Sequence, residues 1–398
     1  MVDFDLQPTL TGPLIRLRPL RSADFEPLYS VASDPLIWYQ HPDKGRSTRE
    51  GFARFFADAL ASRGALVAVD RADDSTIGCS RFHTYRSEHR DVIIGYTFLS
   101  RSHWGGTYNG EMKRLMLDHA FRFVESVRFL VAEQNLRSRR AVEKLGAVDV
   151  GSEEHRELGI VHRIYELKQL QHLQQRAESA GVAMRGAFHP EAGEFPTLPG
   201  STHGTLVLLG FTGSLQWPIF ARSPEAIDGL PHPLDRWSRR VIGALAREFR
   251  ACDIYPADSP IVPFQQLAMR CESVYPSPIG LLVHPLWGLW HSYRGGLIFP
   301  TRLPLPARPC STRPCDSCEA KPCLSACPVG AFGRDGFDLK ACLRHVSSTE
   351  GSDCRECGCR ARCACPIGPR PGYAPEQVRF HMDAFLTAFQ SGDREKAD

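Results

Sequence analysis

Fourteen cysteines occur in the 398-residue chain, and eleven of them lie between Cys310 and Cys365, leaving Cys79, Cys252 and Cys271 for all the rest. No other feature constrains the fold as strongly. Clustered thiols in a chain this long are not the staples of a small secreted domain; in a reducing compartment they act as metal ligands. The length exceeds what one hydrophobic core usually organises, so two domains are expected, with the thiols confined to the second. Forty-eight basic residues against 45 acidic ones leave a net charge of +3, too balanced to expect nucleic acid or a membrane surface as a partner. The start, Met1 to Leu6, has no basic region leading into an apolar one, and no apolar run reaches the roughly 18 residues of a membrane span. A cytoplasmic protein is expected.

Within the dense segment, Cys315-x2-Cys318-x4-Cys323-x3-Cys327-Pro328 is close to the ferredoxin run C-x2-C-x2-C-x3-C-P that holds [4Fe-4S] clusters. Two extra residues separate Cys318 from Cys323. A second set follows, namely Cys342, Cys354, Cys357, Cys359, Cys363 and Cys365-Pro366. The repeated Cys-Pro at Cys327 and Cys365 implies two [4Fe-4S] clusters that exchange their fourth ligands. The first would take Cys315, Cys318, Cys323 and Cys365. The second would take Cys327, Cys342 and two of Cys354, Cys357 and Cys359. Cys354 belongs to that pair; Cys357 has the familiar two-residue spacing, but Cys359 is preferred because it leaves a five-residue run to Cys365. Cys310 and Cys363 are then spare. Zinc is the competing reading of C-x2-C pairs, but zinc sites seldom need more than four cysteines and usually include histidine, and only His345 lies inside the cluster.

The first half alternates strands and helices. Leu14 to Arg18 has the period of a half-buried strand, Ser22 precedes a helix with Phe25, Leu28 and Tyr29, and Phe52, Phe55, Phe56 and Leu60 mark a second helix. Strands are expected at 65–69 and 77–82 as antiparallel neighbours, and at 92–99. Then come the loop Trp104-Gly105-Gly106, a helix over 109–126, a strand over 127–132, a helix from Asn135 stopped at Gly146, and a closing strand over 161–167. In the second half, 205–211 reads as a buried strand, and 234–249 and 375–389 as helices.

A glycine-bearing loop before a helix offers unpaired N-H groups and a positive dipole end, which suit a phosphate. The segment Asn135-Leu136-Arg137-Ser138 through Gly146 resembles the second core motif of the GNAT acetyltransferases. Gly95-Tyr96, Trp104-Gly105-Gly106 and the long helix fall in that family's order, and the Leu14-Ile15-Arg16-Leu17-Arg18-Pro19-Leu20 opening resembles the ribosomal-protein N-acetyltransferase branch. The resemblance spans about residues 10 to 168. It implies a mixed sheet with flanking helices and N-acetyl transfer from acetyl-CoA to a primary amine, either a small molecule or a protein N-terminus. It also implies a pyrophosphate site on the backbone of His103, Gly105, Gly106, Thr107 and Tyr108 with charge from Arg101, and contacts from Asn135 and Ser138 to the pantetheine arm. Thr107 stands where the family usually has a second glycine. Ser138 could instead only cap its helix, and Arg101 could be a surface charge. No catalytic base is readable; Glu111 and Glu133 are nearby acids without an assigned role.

The chain as a whole therefore reads as an α/β (α+β) two-domain protein. Residues 1–169 form the acetyltransferase domain, and 170–398 an α/β iron-sulfur domain with a dicluster ferredoxin-like segment at 310–368. The second half also resembles epoxyqueuosine reductases and related corrinoid-handling proteins. The resemblance rests on Ile279 to Gly288, Leu303-Pro304-Leu305-Pro306 and the Cys-Pro-x-Gly-Ala-Phe stretch from Cys327. Gly280-Leu281-Leu282 departs from that family's glycine-lysine-asparagine, and Asp258 is out of register with its catalytic aspartate, so electron transfer, with a redox partner protein, is the expected role. The alternative is an iron-sulfur oxidoreductase, corrinoid-linked in one form, in which the GNAT fold is only a binding or regulatory module.

Overall fold

Ile15 and Leu17 are fully buried while Arg16 and Arg18 are only partly so, the one-sided burial that makes a strand. In the computed structural model this strand enters an eight-stranded sheet. The structure describes residues 4–390 except 106, 156–158, 192, 196–203, 259, 309–310, 334–335 and 371. It divides into two units, Met1–Gln175 and Arg176–Asp398.

The first unit runs β1 (Leu10–Thr11), β2 (Ile15–Pro19), α1 (Phe25–Ala32), α2 (Arg49–Ala61), β3 (Ala65–Asp70), β4 (Thr76–Arg86) and β5 (Asp91–Leu99). It continues with α3 (Thr107–Ala120), β6 (Ser126–Ala132), α4 (Leu136–Glu143), β7 (Val148–His155) and β8 (Ile160–Lys168). The sheet order is β1-β2-β3-β4-β5-β6-β8-β7. β5 and β6 pair in parallel; the pairs on either side are antiparallel. Each sheet face carries its own core. Ile15, Leu17, Leu66, Phe82 and Ile94 pack with Met112 and Met116 of α3, whereas Val67, Val69, Cys79 and Phe98 pack with Leu28 of α1 and Phe52, Phe55 and Phe56 of α2.

Two expectations change here. The helix expected over 109–126 starts at Thr107 and ends at Ala120. The chain must turn there, because β6 begins at Ser126 opposite Asp91; the Phe123 N-H bonds the Ala120 carbonyl at 2.9 Å and the Glu125 N-H the Arg90 carbonyl at 2.7 Å. β7 has no counterpart among the expected strands. Its Val148 and Val150 are about half exposed, so the strand lacks the buried alternation that would announce it.

In the second unit, an antiparallel sheet has the order Cys252–Ile254, His291–Phe299, Thr205–Thr212, Ala183–Phe188. Helix Pro233–Phe249 brings Trp237 against Phe211 on one face, and helix Phe264–Cys271 brings Leu267 and Ala268 against Leu206 and Leu208 on the other. Glycines hide two of these strands in the sequence. A Cβ on Gly186 would lie 2.5 Å from the Cys271 carbonyl oxygen, and one on Gly295 would lie 2.7 Å from Ile242. The strands hold glycine because helices press on them, not because the chain turns there. Short helices then carry the cysteine segment: Pro322–Ser325, Leu339–Ser347, Ser352–Glu356 and Arg360–Cys363, followed by Pro375–Gln390. Among the described residues no helix is long and apolar enough to cross a membrane.

Candidate active site and metal centre

β5 and β6 pair from Asp91↔Ser126 to Ile93↔Arg128 and then part. β6 continues on its other side against β8 as far as Ala132↔His162, and β5 continues against β4. The facing edges at 94–99 and 129–132 therefore have backbone groups with no ladder partner across the gap. A bulge sharpens the divergence: Cys79 pairs with Phe98 but Arg81 with Gly95, and Tyr96 adopts a φ of +53°. Holding a side-chain-bearing residue in this region costs energy, and such strain concentrates at functional positions.

The loop from β5 into α3 passes through Gly105, whose φ of +69° suits glycine; Gly106 lies outside the described residues. The loop is anchored from below. His103 Nε2 lies 3.3 Å from Asp70 Oδ2, the Tyr108 hydroxyl donates to the same oxygen at 3.0 Å, and the two rings meet edge to face at 4.6 Å. The Asp70 carboxyl is held below its ordinary pKa, chiefly by the Ala72 N-H and then by the Tyr108 hydroxyl and His103. Arg101 is exposed and ion-pairs with Asp34, so its charge is partly spent before any phosphate arrives. Thr107 opens α3.

Asn135 is buried and caps α4, its side-chain oxygen accepting from the Ser138 N-H at 3.2 Å. Its amide oxygen is thus engaged in holding the helix start. Arg137, to which the sequence pattern assigns no role, stacks its guanidinium 4.0 Å over Trp104 and donates to the Ile37 carbonyl at 2.9 Å. It ties α4 to the loop. Its signal in the sequence is only its place inside the Asn135 to Gly146 motif. Glu111 is committed to structure, its Oε1 accepting from the N-H groups of Leu14 and Ile15 at 2.8 and 2.9 Å, and Glu133 is exposed.

Residues 15–148 match the family described as acetyltransferase (GNAT) domain. The segment is a GNAT acetyltransferase domain. The activity that goes with it is N-acetyl transfer, which favours an enzyme over a mere binding module in this unit. Among solved structures, the chain is similar to a GCN5-related N-acetyltransferase from Brucella melitensis, with 16% identity and a TM-score of 0.40 over 44% of this chain and 83% of that one. It is also similar to Mycobacterium smegmatis RimJ in complex with CoA-disulfide (20%, TM-score 0.37, 44% and 95%). A third is spermidine N-acetyltransferase from Vibrio cholerae in complex with CoA and spermine (15%, TM-score 0.34, 41% and 99%). A search of curated proteins returns no match.

In the second unit the thiols fall into two groups. Cys315, Cys318, Cys323 and Cys365 line one cavity of about 350 Å³, its open mouth included, beside Leu289 and Ile367. Burial raises the Cys315 pKa, and the neighbouring Cys365, Cys323 and Cys318 raise it further. Burial pushes the Cys342 thiol up to about 11, and Cys359, Cys327 and Cys354 add to the shift. These four form the second group. Cys327 Sγ also accepts the Ala331 N-H at 3.3 Å. Cys357 and Cys363 are exposed, with the Cys363 thiol donating to the Cys357 carbonyl at 3.4 Å; Cys310 lies outside the described residues. The described cysteines are all free thiols. Asp258 is occupied elsewhere, paired with Arg239 and accepting from the Tyr255 N-H, each at 2.7 Å.

Proposed function

We propose that the first unit transfers acetyl from acetyl-CoA to a primary amine and that the second carries two [4Fe-4S] clusters. The observation that carries the first half is the parting of β5 and β6 beyond Ile93 beside a helix start reached through Gly105. Backbone N-H groups from His103 through Tyr108 take the pyrophosphate, supported by the α3 dipole, with Arg101 adding charge. The pantetheine arm lies along the free edges of the parted strands, with Asn135 and Ser138 fixing the α4 side. Backbone N-H groups of β5 then meet the oxygen of the thioester carbonyl as it gains charge during attack by the amine. The acceptor amine belongs to a small molecule or a protein N-terminus. Calorimetric titration of the full chain with acetyl-CoA tests this. Binding tighter than about 1 mM is expected, and weaker binding overturns it, since a formed pyrophosphate site should give at least roughly 4 kcal/mol.

The two thiol groups support the clusters. Cys315, Cys318, Cys323 and Cys365 hold one, and Cys327, Cys342, Cys354 and Cys359 the other, leaving Cys357 outside. Eight thiols in two sets of four match the donor count that two [4Fe-4S] clusters need. Such clusters supply one-electron transfer when bound. Anaerobically purified chain should be brown and contain about eight irons and eight acid-labile sulfides; colourless protein containing zinc would refute the assignment.

A further inference from the structure

On the α1–α2 face of β5, at the bulge, two arginines share one aromatic cage. The Arg81 guanidinium lies 4.1 Å from the centre of the Tyr96 ring and 5.8 Å from that of Phe55; the Arg46 guanidinium lies 4.9 Å from Phe55, 5.6 Å from Trp38 and 5.8 Å from Tyr96. Their acidic partners stand at the edge. Asp43 pairs with Arg46 at 3.1 Å and Asp58 with Arg81 at 2.6 Å, and both acids are more than half exposed. Arg81 itself is only 3% exposed, and its Nε and Nη2 are buried with no hydrogen-bond partner. Buried guanidinium nitrogens without acceptors are costly, and two like charges over the same rings raise that cost. Burial lowers the Arg46 pKa, and the facing Arg81 adds to the lowering. The neighbouring His41 and His83 give no compensating anion.

Tyr96 covers this pair from the solvent side, is 39% exposed, and carries the positive φ. It also lies on the length of β5 that has parted from β6. We propose that Arg46 and Arg81 form the acceptor-recognition site of this acetyltransferase and select an amine that carries a carboxylate. The inference rests on the acetyl-transfer reading above and names the acceptor class for that site. A carboxylate entering beside Tyr96 meets Arg46 first. With the Tyr96 ring turned aside, it also satisfies the unpaired Arg81 nitrogens, as a planar fork does for a carboxylate. The amine of the same molecule is then held beside the β5 edge, where the thioester arrives from the α3 side through the gap.

The test measures kcat/KM of the full chain with acetyl-CoA for matched peptides bearing Glu, Gln or Lys next to the N-terminal amine, and for β-alanine against ethanolamine. The carboxylate member of a pair should be preferred by about tenfold or more, as one charge-assisted hydrogen bond provides. In Arg46→Met the preference should fall to about threefold or less through KM, with acetyl-CoA affinity unchanged. Arg81→Lys, which keeps the charge but loses the fork, should lose part of it. A preference among the peptides alone assigns an acidic N-terminus, and one with β-alanine alone a small amino acid. Turnover blind to acceptor charge, or a preference untouched by Arg46→Met, overturns the proposal while leaving acetyl transfer standing. Failure to bind acetyl-CoA removes both.

Discussion

Lys113 of α3 donates from Nζ to the Thr97 hydroxyl at 2.6 Å, under the bulge of β5, with Ser80 Oγ 3.5 Å away and no carboxylate in the group. Thr97 and Ser80 bond each other at 2.7 Å, and the Phe129 ring of β6 is 5.7 Å from the amine. A lysine thus joins α3 to both strands where they part. Its burial drives the pKa from 10.5 down to about 7.

That shift fixes a pH dependence. Between about 7 and 10.5 this lysine holds a proton in the unfolded chain that it lacks in the folded one, so its own contribution to stability rises with pH across this window, by up to ~1.4 kcal/mol per pH unit. Below the window the full cost of charging a buried amine is present. Lys113→Met should flatten the difference and be relatively more stable at neutral pH. Urea unfolding of both proteins across the window checks this; parallel curves would rule it out.

A Cβ added at Gly105 would meet no atom within 4 Å, yet the residue's φ is +69°. Gly105→Ala should therefore cost about 1 kcal/mol through backbone strain alone and weaken acetyl-CoA binding if the loop relaxes. Asn135→Ala removes the cap on Ser138 N-H and should cost about 1 kcal/mol. Thermal unfolding reads the stability loss in each case, and calorimetry the change in binding.

Cys359→Ser and Cys357→Ser separate neighbours two residues apart. Cys359 sits with Cys342, Cys327 and Cys354, whereas Cys357 is exposed beside Cys363. The first variant should lose about half of the bound iron, and the second should retain all of it. Equal losses would mean that the ligand set is wrong.

Arg185, with its side chain 1% exposed, bonds Glu272 Oε1 through Nη2 at 2.9 Å and Nε at 3.3 Å, and Glu272 also receives the Tyr293 hydroxyl. Glu272→Ala leaves a buried guanidinium with only the Phe211 carbonyl at 2.8 Å and should destabilise the second unit by about 3–5 kcal/mol. Replacing both partners by methionine should recover most of that loss in the same denaturation experiment.

How much of this is legible beforehand depends on whether the signal is local. The strand at Ile15, the helix at Pro233–Phe249 and the Asn135 cap are local patterns, and the sequence shows them. β7 is silent because its valines face solvent, and the strands around Gly186 and Gly295 are masked because their glycines answer to helices far away in sequence. Arg81 and Arg46 carry no sequence signal at all; two arginines 35 positions apart become a pair only when α2 lies over β4 and β5. The same holds for Lys113, which in sequence is an ordinary charge on a helix.

Short spacings alone place the clustered cysteines along the chain and, through Asn135 to Gly146, carry the resemblance of the first half to an acetyltransferase. Which thiols face one another, and that Cys359 and not Cys357 joins Cys327, Cys342 and Cys354, was decided by the packing of short helices. The gap between β5 and β6 was likewise a tertiary decision: parallel pairing stops at Ile93 because the bulge at Tyr96 turns one strand away while β8 holds the other.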